Sequence, residues 1–152
     1  MDPLRQHLLN LLTKEEAHAG FDSAVEDFPR ELRGKRCGSH SAWELLEHLR
    51  IAQSDILEFS RNPKHESPEW PAGYWPASPE PPDDVAWDES IRKFRADLAS
   101  IVAMAADASL DLYAAIPHGT GQTLLRELLL VADHNAYHIG QLMLVRKILQ
   151  KE

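Results

Sequence analysis

Cysteine is nearly missing from this chain of 152 residues, with Cys37 alone. No intramolecular disulfide can form, and a reducing compartment is the simplest setting. A nucleophile would need an activating partner that the sequence does not show, so Cys37 reads as an incidental loop thiol. Long apolar runs are missing too; no stretch approaches the roughly 18 apolar residues of a membrane span. Positive charge is scarce, since 16 Lys and Arg face 24 Asp and Glu for a formal charge of −8. A nucleic-acid binder needs clustered cations to neutralise phosphates. The one basic run, Arg30, Arg33, Lys35 and Arg36, reads as a solvated turn. Neither a nucleic acid nor a membrane is therefore expected as a partner. The opening residues, Met1-Asp2-Pro3-Leu4-Arg5-Gln6-His7, lack the charged-then-apolar layout of a secretion signal, and the cytoplasm is the expected location. P-loops, Gly-rich dinucleotide fingerprints and a Ser-His-Asp arrangement cannot be found.

What is present is ordinary globular composition, with 43% hydrophobic and 26% charged residues. The length suits one domain over residues 1–152, and such a chain buries about 68–70% of its unfolded surface without staples. Helical periodicity dominates. Asp2 as N-cap and Pro3 as first helical residue open a segment with Leu4, Leu8, Leu11 and Leu12 at helix spacing, and Gly20 offers a stop. Ser23 and Glu26 then have capping-box spacing for a turn or two before Pro29. Ser41 and Glu44 form another capping box ahead of a stripe of Leu45, Leu49, Ala52, Ile56 and Phe59. A third long helix is expected from about Asp88 to Ala106, and a fourth from about Gln122 to Gln150. The spacing predicts an all-α helix bundle.

Residues 62–86 break the pattern. Seven of the ten prolines lie there, with Trp70, Tyr74 and Trp75. Proline removes a backbone donor and turns the preceding residue away from helix, so a long irregular connection is expected. Its aromatics favour packing onto the body, as a roof over a pocket.

Eight histidines are present. His134 and His138 are four apart on the last helix, so they share a face with Cβ atoms roughly 5–6 Å apart. Spacing alone is weak, because eight histidines in 152 residues give roughly 0.36 such pairs by chance. Placement adds more. At about 100° per residue, His138 falls in the apolar sector with Leu128, Val131 and Leu142, His134 lies just beyond it, and His48 borders the stripe of the second helix. Three buried imidazoles must be satisfied. Hydrogen bonds to backbone carbonyls or carboxylates would do so singly; for all three, a shared divalent ion is the better reading. Three imidazoles without a fourth protein ligand match an open metal site. Such donors suit zinc, nickel, iron or copper. Asp133 and Glu127 are the nearest acids that could orient a ligand ring, while Tyr137 and Gln141 flank His138. His18 reads as a surface residue that could line the same cavity. His118 precedes the last helix by a few residues, and the His134 turn is about 16 residues further on, roughly 24 Å along a helix, which argues against direct participation.

The stretch Ser41-Ala42-Trp43-Glu44-Leu45-Leu46-Glu47-His48-Leu49, followed far downstream by Asp133-His134-Asn135-Ala136-Tyr137-His138-Ile139-Gly140-Gln141, resembles the DinB/YfiT-like superfamily. The resemblance covers nearly the whole chain. It implies an up-down-down-up four-helix bundle, usually dimeric, with a divalent metal held by His48, His134 and His138. Zinc or nickel leads among the ions. Some such proteins are thiol-dependent transferases or isomerases, which makes a small-molecule substrate or low-molecular-weight thiol an expected partner. A second apolar face on the last helix (Leu125, Leu129, Leu130, Leu144, Ile148) favours a homodimer. Two functional classes stay open. One is a metal-dependent enzyme, a transferase or hydrolase whose catalytic residues the sequence does not name. The other is a non-catalytic stress-related or binding module whose metal is structural or absent.

Overall fold

A computed structural model describes residues 2–151. Among them the chain is all-helical, with five α-helices, two short 3₁₀ turns and no strand. Helix α1 (Pro3–Thr13) starts as its sequence dictates, with the Asp2 carboxylate accepting from the backbone N–H groups of Leu4 and Arg5. It ends well before Gly20, and the reason is local. Glu15 turns back so that its Oε1 accepts from Gly20 N and Ser23 Oγ, both at 2.7 Å. That carboxylate serves the start of α2 (Phe21–Val25), whose N-cap is Gly20. The expected Ser23/Glu26 capping box is thus replaced: Ser23 donates to Glu15, and Glu26 sits at the C-cap.

Helix α3 (Ala42–Arg61) carries both halves of its capping box, Glu44 N to Ser41 Oγ at 3.1 Å and Ser41 N to Glu44 Oε2 at 2.7 Å. Helix α4 (Asp84–Ala106) begins four residues before the expected Asp88, because Asp83 caps it by accepting from Ala86 N. Helix α5 (Leu124–Leu149) is capped by Thr123. None of the helices among the described residues is long and apolar enough to cross a membrane.

Apolar packing falls into two clusters. One joins the first half of α3 (Trp43, Leu45, Leu46, Leu49) to the start of α4 (Trp87, Phe94) and the second half of α5 (Ile139, Leu142). The other joins the end of α3 (Leu57) to the end of α4 (Ile101, Ala105), the start of α5 (Leu128, Val131) and Leu8 of α1. Each fully buried large side chain contributes about 1.5–3 kcal/mol of transfer free energy. Charged groups close the ends. Arg5 is buried and donates to the carbonyls of Ala105 (2.9 Å) and Leu110, satisfying acceptors where α4 stops. The basic run is neutralised rather than left as a free patch: Arg30 and Arg33 both meet Asp84, and Arg36 meets Glu44.

Between α3 and α4 the chain forms only one 3₁₀ turn, Ala72–Tyr74. Asp55 of α3 ties this segment down, bonding His65 Nε2 and accepting from the Tyr74 hydroxyl, each at 2.7 Å. Ser41 adds a hydrogen bond to the Pro79 carbonyl. These anchors hold Tyr74 and Trp75 over the middle of α3.

Candidate metal centre

Two sequence features bring the site together. The i,i+4 spacing puts His134 and His138 on one face of α5, and His48 lies in the fully buried first turns of α3, against which α5 packs. His48 Nε2 is 3.0 Å from His134 Nε2 and 3.1 Å from His138 Nε2. Residues 86 and 90 positions apart in sequence therefore aim the same ring atom at one point. His48 is buried; His134 and His138 are partly so.

The far side of each ring determines what the near side can do. His48 Nδ1 lies 2.9 Å from the Tyr74 carbonyl, which can only accept, so Nδ1 carries the hydrogen. His138 Nδ1 lies 2.6 Å from Gln141 Oε1 and donates to it. In the neutral rings, both Nε2 atoms then present lone pairs, and no hydrogen stands between them at 3.1 Å. Burial favours the neutral form of all three rings. Burial, with the neighbouring histidines adding to it, pushes His134 down to about 4. Burial likewise lowers His138 to about 4 against the opposing Gln141 bond. His48 is lowered by burial, with the Tyr74 carbonyl opposing.

Converging lone pairs are unfavourable alone and are what a cation requires. With metal–nitrogen distances of about 2.0–2.1 Å, donors around a tetrahedral ion lie roughly 3.3 Å apart. The observed 3.0 and 3.1 Å need only a small outward adjustment. These three residues could hold a metal ion; the cluster contains no Asp, Glu or Cys. Rear-side oxygen acceptors on ligand histidines fix the tautomer and raise donor basicity, and here a backbone carbonyl and a carboxamide take that part.

Trp75 covers the site. Its indole stacks on His48 with centroids 3.9 Å apart and planes 1° from parallel, and His40 stacks on the same indole at 4.2 Å. Tyr137 meets His138 edge-on, although its own side chain is largely exposed. Trp70 is no part of the roof: it is 73% exposed, and its ring meets Tyr74 edge-on rather than a histidine.

Other sequence candidates fall elsewhere. Glu127 is buried but pairs with Arg126 at 2.5 Å in a wall formed with Leu57 and Ile101, so it orients no histidine. Asp133 is exposed. His118 bonds the Phe59 carbonyl. His18 is exposed at the rim of a separate groove of about 370 Å³, floored by Phe94, Leu98, Ala132, Ala136 and Ile139. None of the three histidines is among the residues that line it, although Asn135 is.

A family model of the DinB superfamily matches residues 6–142, which include all three histidines. The chain belongs to the DinB superfamily. No curated protein and no solved structure matches it. In this DinB superfamily chain, residue spacing pointed to His48, His134 and His138, but the Tyr74 carbonyl and the His40–Trp75 stack had no such signal. A backbone carbonyl leaves no mark in the sequence; the aromatic density of residues 70–75 was the only hint that the connection returns to the site.

Proposed function

We propose that this chain is a divalent-metal-dependent enzyme with His48, His134 and His138 as protein ligands and an open coordination position for substrate. The contact between His48 and His138 carries the reading, because both Nδ1–H groups are turned to oxygen acceptors and both Nε2 lone pairs meet. The all-imidazole donor set suits zinc or nickel, with iron or copper within its range. When bound, such an ion supplies Lewis acidity that polarises a substrate or lowers the pKa of a coordinated water or thiol. The chain's own residues hold three neutral donors in place, occupy the rear N–H groups of His48 and His138, and shield His48 from water with Trp75. The cluster contains no carboxylate base. Direct activation of a substrate or low-molecular-weight thiol, as in a thiol-dependent transferase or isomerase, is chemistry that such an open site suits.

The test is metal content per chain in untagged protein, for the parent and for His48→Ala, His134→Ala and His138→Ala. One ion in the parent and none in the variants is expected; a metal-free parent under replete conditions overturns the site. A screen of thiols against electrophiles follows. A blank screen, with stability lost alongside the metal, favours the second reading, a non-catalytic binding or stress module with a structural ion. The observation on its side is that the cluster itself, His48, His134 and His138, includes no carboxylate to act as a base.

We also infer a single domain with an up-down-down-up bundle of α1, α3, α4 and α5, bridged by the Pro/Trp-rich connection, in a cytoplasmic homodimer. Supporting the bundle, the two apolar clusters pair α3 with α4 start to start and end to end, and pair α5 with both in reverse. Supporting the dimer, Leu129, Tyr137, Leu144 and Ile148 are exposed along one side of α5. Gly140 lies among them with open space where a Cβ would stand. A mid-helix glycine costs roughly 0.5–1 kcal/mol relative to Ala, which close approach of a second helix would offset. A concentration-independent monomer mass in sedimentation would overturn the dimer.

A further inference from the structure

His134 differs from the other two histidines in one respect. Its Nδ1 is buried and makes no hydrogen bond, and the next residue contributes a second such atom, Asn135 Oδ1. The orientation of that carboxamide is set from a distance. Gln53, fully buried on α3, donates from Nε2 to the Phe94 carbonyl of α4 at 2.8 Å. A carbonyl can only accept, so the Gln53 amide must turn its nitrogen toward Phe94 and its Oε1 toward α5. Asn135, itself 8% exposed, donates from Nδ2 to that Oε1 at 2.9 Å. Its remaining atom, Oδ1, is therefore an acceptor with nothing to accept, beside a ring nitrogen with no partner. Each orphan carries a cost of about 1–3 kcal/mol when buried, and one hydrogen bond between the two would remove both.

We propose that Asn135, polarised through Gln53 by the Phe94 carbonyl, is the positioning residue that holds His134 in its Nδ1–H form. The inference rests on the metal-site reading above. It completes a common plan in which each of the three rings turns its N–H outward to an oxygen: Tyr74 carbonyl for His48, Gln141 for His138, Asn135 for His134. The alternative tautomer of His134 would place a hydrogen on Nε2, 3.0 Å from His48 Nε2. That hydrogen bond would satisfy the His134–His48 contact and take the His134 lone pair away from a cation. The buried relay thus selects between two converging lone pairs and three.

The tautomer is directly measurable. In chelator-treated, ¹⁵N-labelled full-length protein, long-range ¹H–¹⁵N spectra of the histidine rings should show His134 protonated at Nδ1. An Nε2–H ring in the parent overturns the proposal with no mutation needed. Asn135→Leu keeps the volume without the acceptor, and Asn135→Asp keeps an acceptor. Asn135→Leu should shift His134 toward Nε2–H and weaken Co²⁺ binding, followed by its visible absorption, by about 10–100-fold, the usual loss for a partner of a ligand ring. Asn135→Asp should retain Nδ1–H and bind within a few-fold of the parent. Unchanged tautomer and Co²⁺ affinity in a folded Asn135→Leu variant would reduce the relay to interhelical glue and refute it. A parent that shows Nδ1–H yet binds no Co²⁺ would leave the relay standing and overturn the metal reading instead.

Discussion

Replacing His48 with leucine separates a metal ligand from a structural histidine. In the metal-free protein the ring brings a desolvation cost and meets two other ring nitrogens at 3.0 and 3.1 Å, one of them lone pair against lone pair. Leucine removes both penalties and fills much of the same volume. Against this, the Tyr74 carbonyl loses its donor, at about 1–3 kcal/mol. The stack with Trp75 is lost as well, at about 0.5–1.5 kcal/mol. The opposing terms are similar in size, so His48→Leu should lie within about 2 kcal/mol of the parent in chelator, as hydrophobic replacement of strained buried polar groups often does. Metal then separates the two proteins. An ion at a thousandfold excess over its Kd stabilises the parent by about 4 kcal/mol. For a chain of this size that is roughly 8–16 °C in Tm, and the variant should gain nothing. Thermal unfolding of both proteins, with chelator and with zinc, is the assay. A parent Tm indifferent to metal would refute the reasoning. So would a variant more than about 3 kcal/mol less stable in chelator, since His48 would then be a core residue in its own right.

Acid should weaken the metal-free fold. His134 and His138 stay neutral in the folded protein down to about pH 4, whereas unfolded rings take up protons near 6.5. The unfolded chain thus binds more protons in that window, and stability declines as pH falls through it by up to about 1.4 kcal/mol per pH unit per ring; urea midpoints in chelator that hold level from pH 7 to 5 would contradict this. Asp55→Ala cuts the anchors of His65 and Tyr74, so residues 62–83 should become sensitive to limited proteolysis and Co²⁺ affinity should fall through the Tyr74–His48 bond. Equal protease resistance in the variant would show that Asp55 is not what holds the connection. Arg5→Met leaves the Ala105 and Leu110 carbonyls without their donor. It should cost about 1–3 kcal/mol in urea unfolding while leaving Co²⁺ affinity unchanged, because Arg5 sits at the other apolar cluster.

Local rules were readable directly from the letters. Asp2-Pro3, Ser41…Glu44 and the 3.6-residue stripes define where α1 and α3 begin and which faces are apolar, because caps and periodicity act within one or two turns. The same short range explains the misses. Glu15 reaches back to Gly20 and Ser23, a loop closure that competes with continuing α1 and carries no periodic signal. Asp83 outcompetes Asp88 as the start of α4 by being the first residue past the prolines able to cap.

By itself, then, the sequence determined the helices and put two histidines on one face of α5 and a third at the border of the apolar stripe of α3, since spacing along a helix is geometry. Only the tertiary structure decided that the three rings point the same nitrogen at one place. That outcome depends on the opposite edge of each ring, where Tyr74's backbone, Gln141 and the Gln53–Asn135 pair supply or aim oxygens. Tyr74 and Gln53 come from elsewhere in the chain, and hydrogen-bond direction through space is not written in any local pattern.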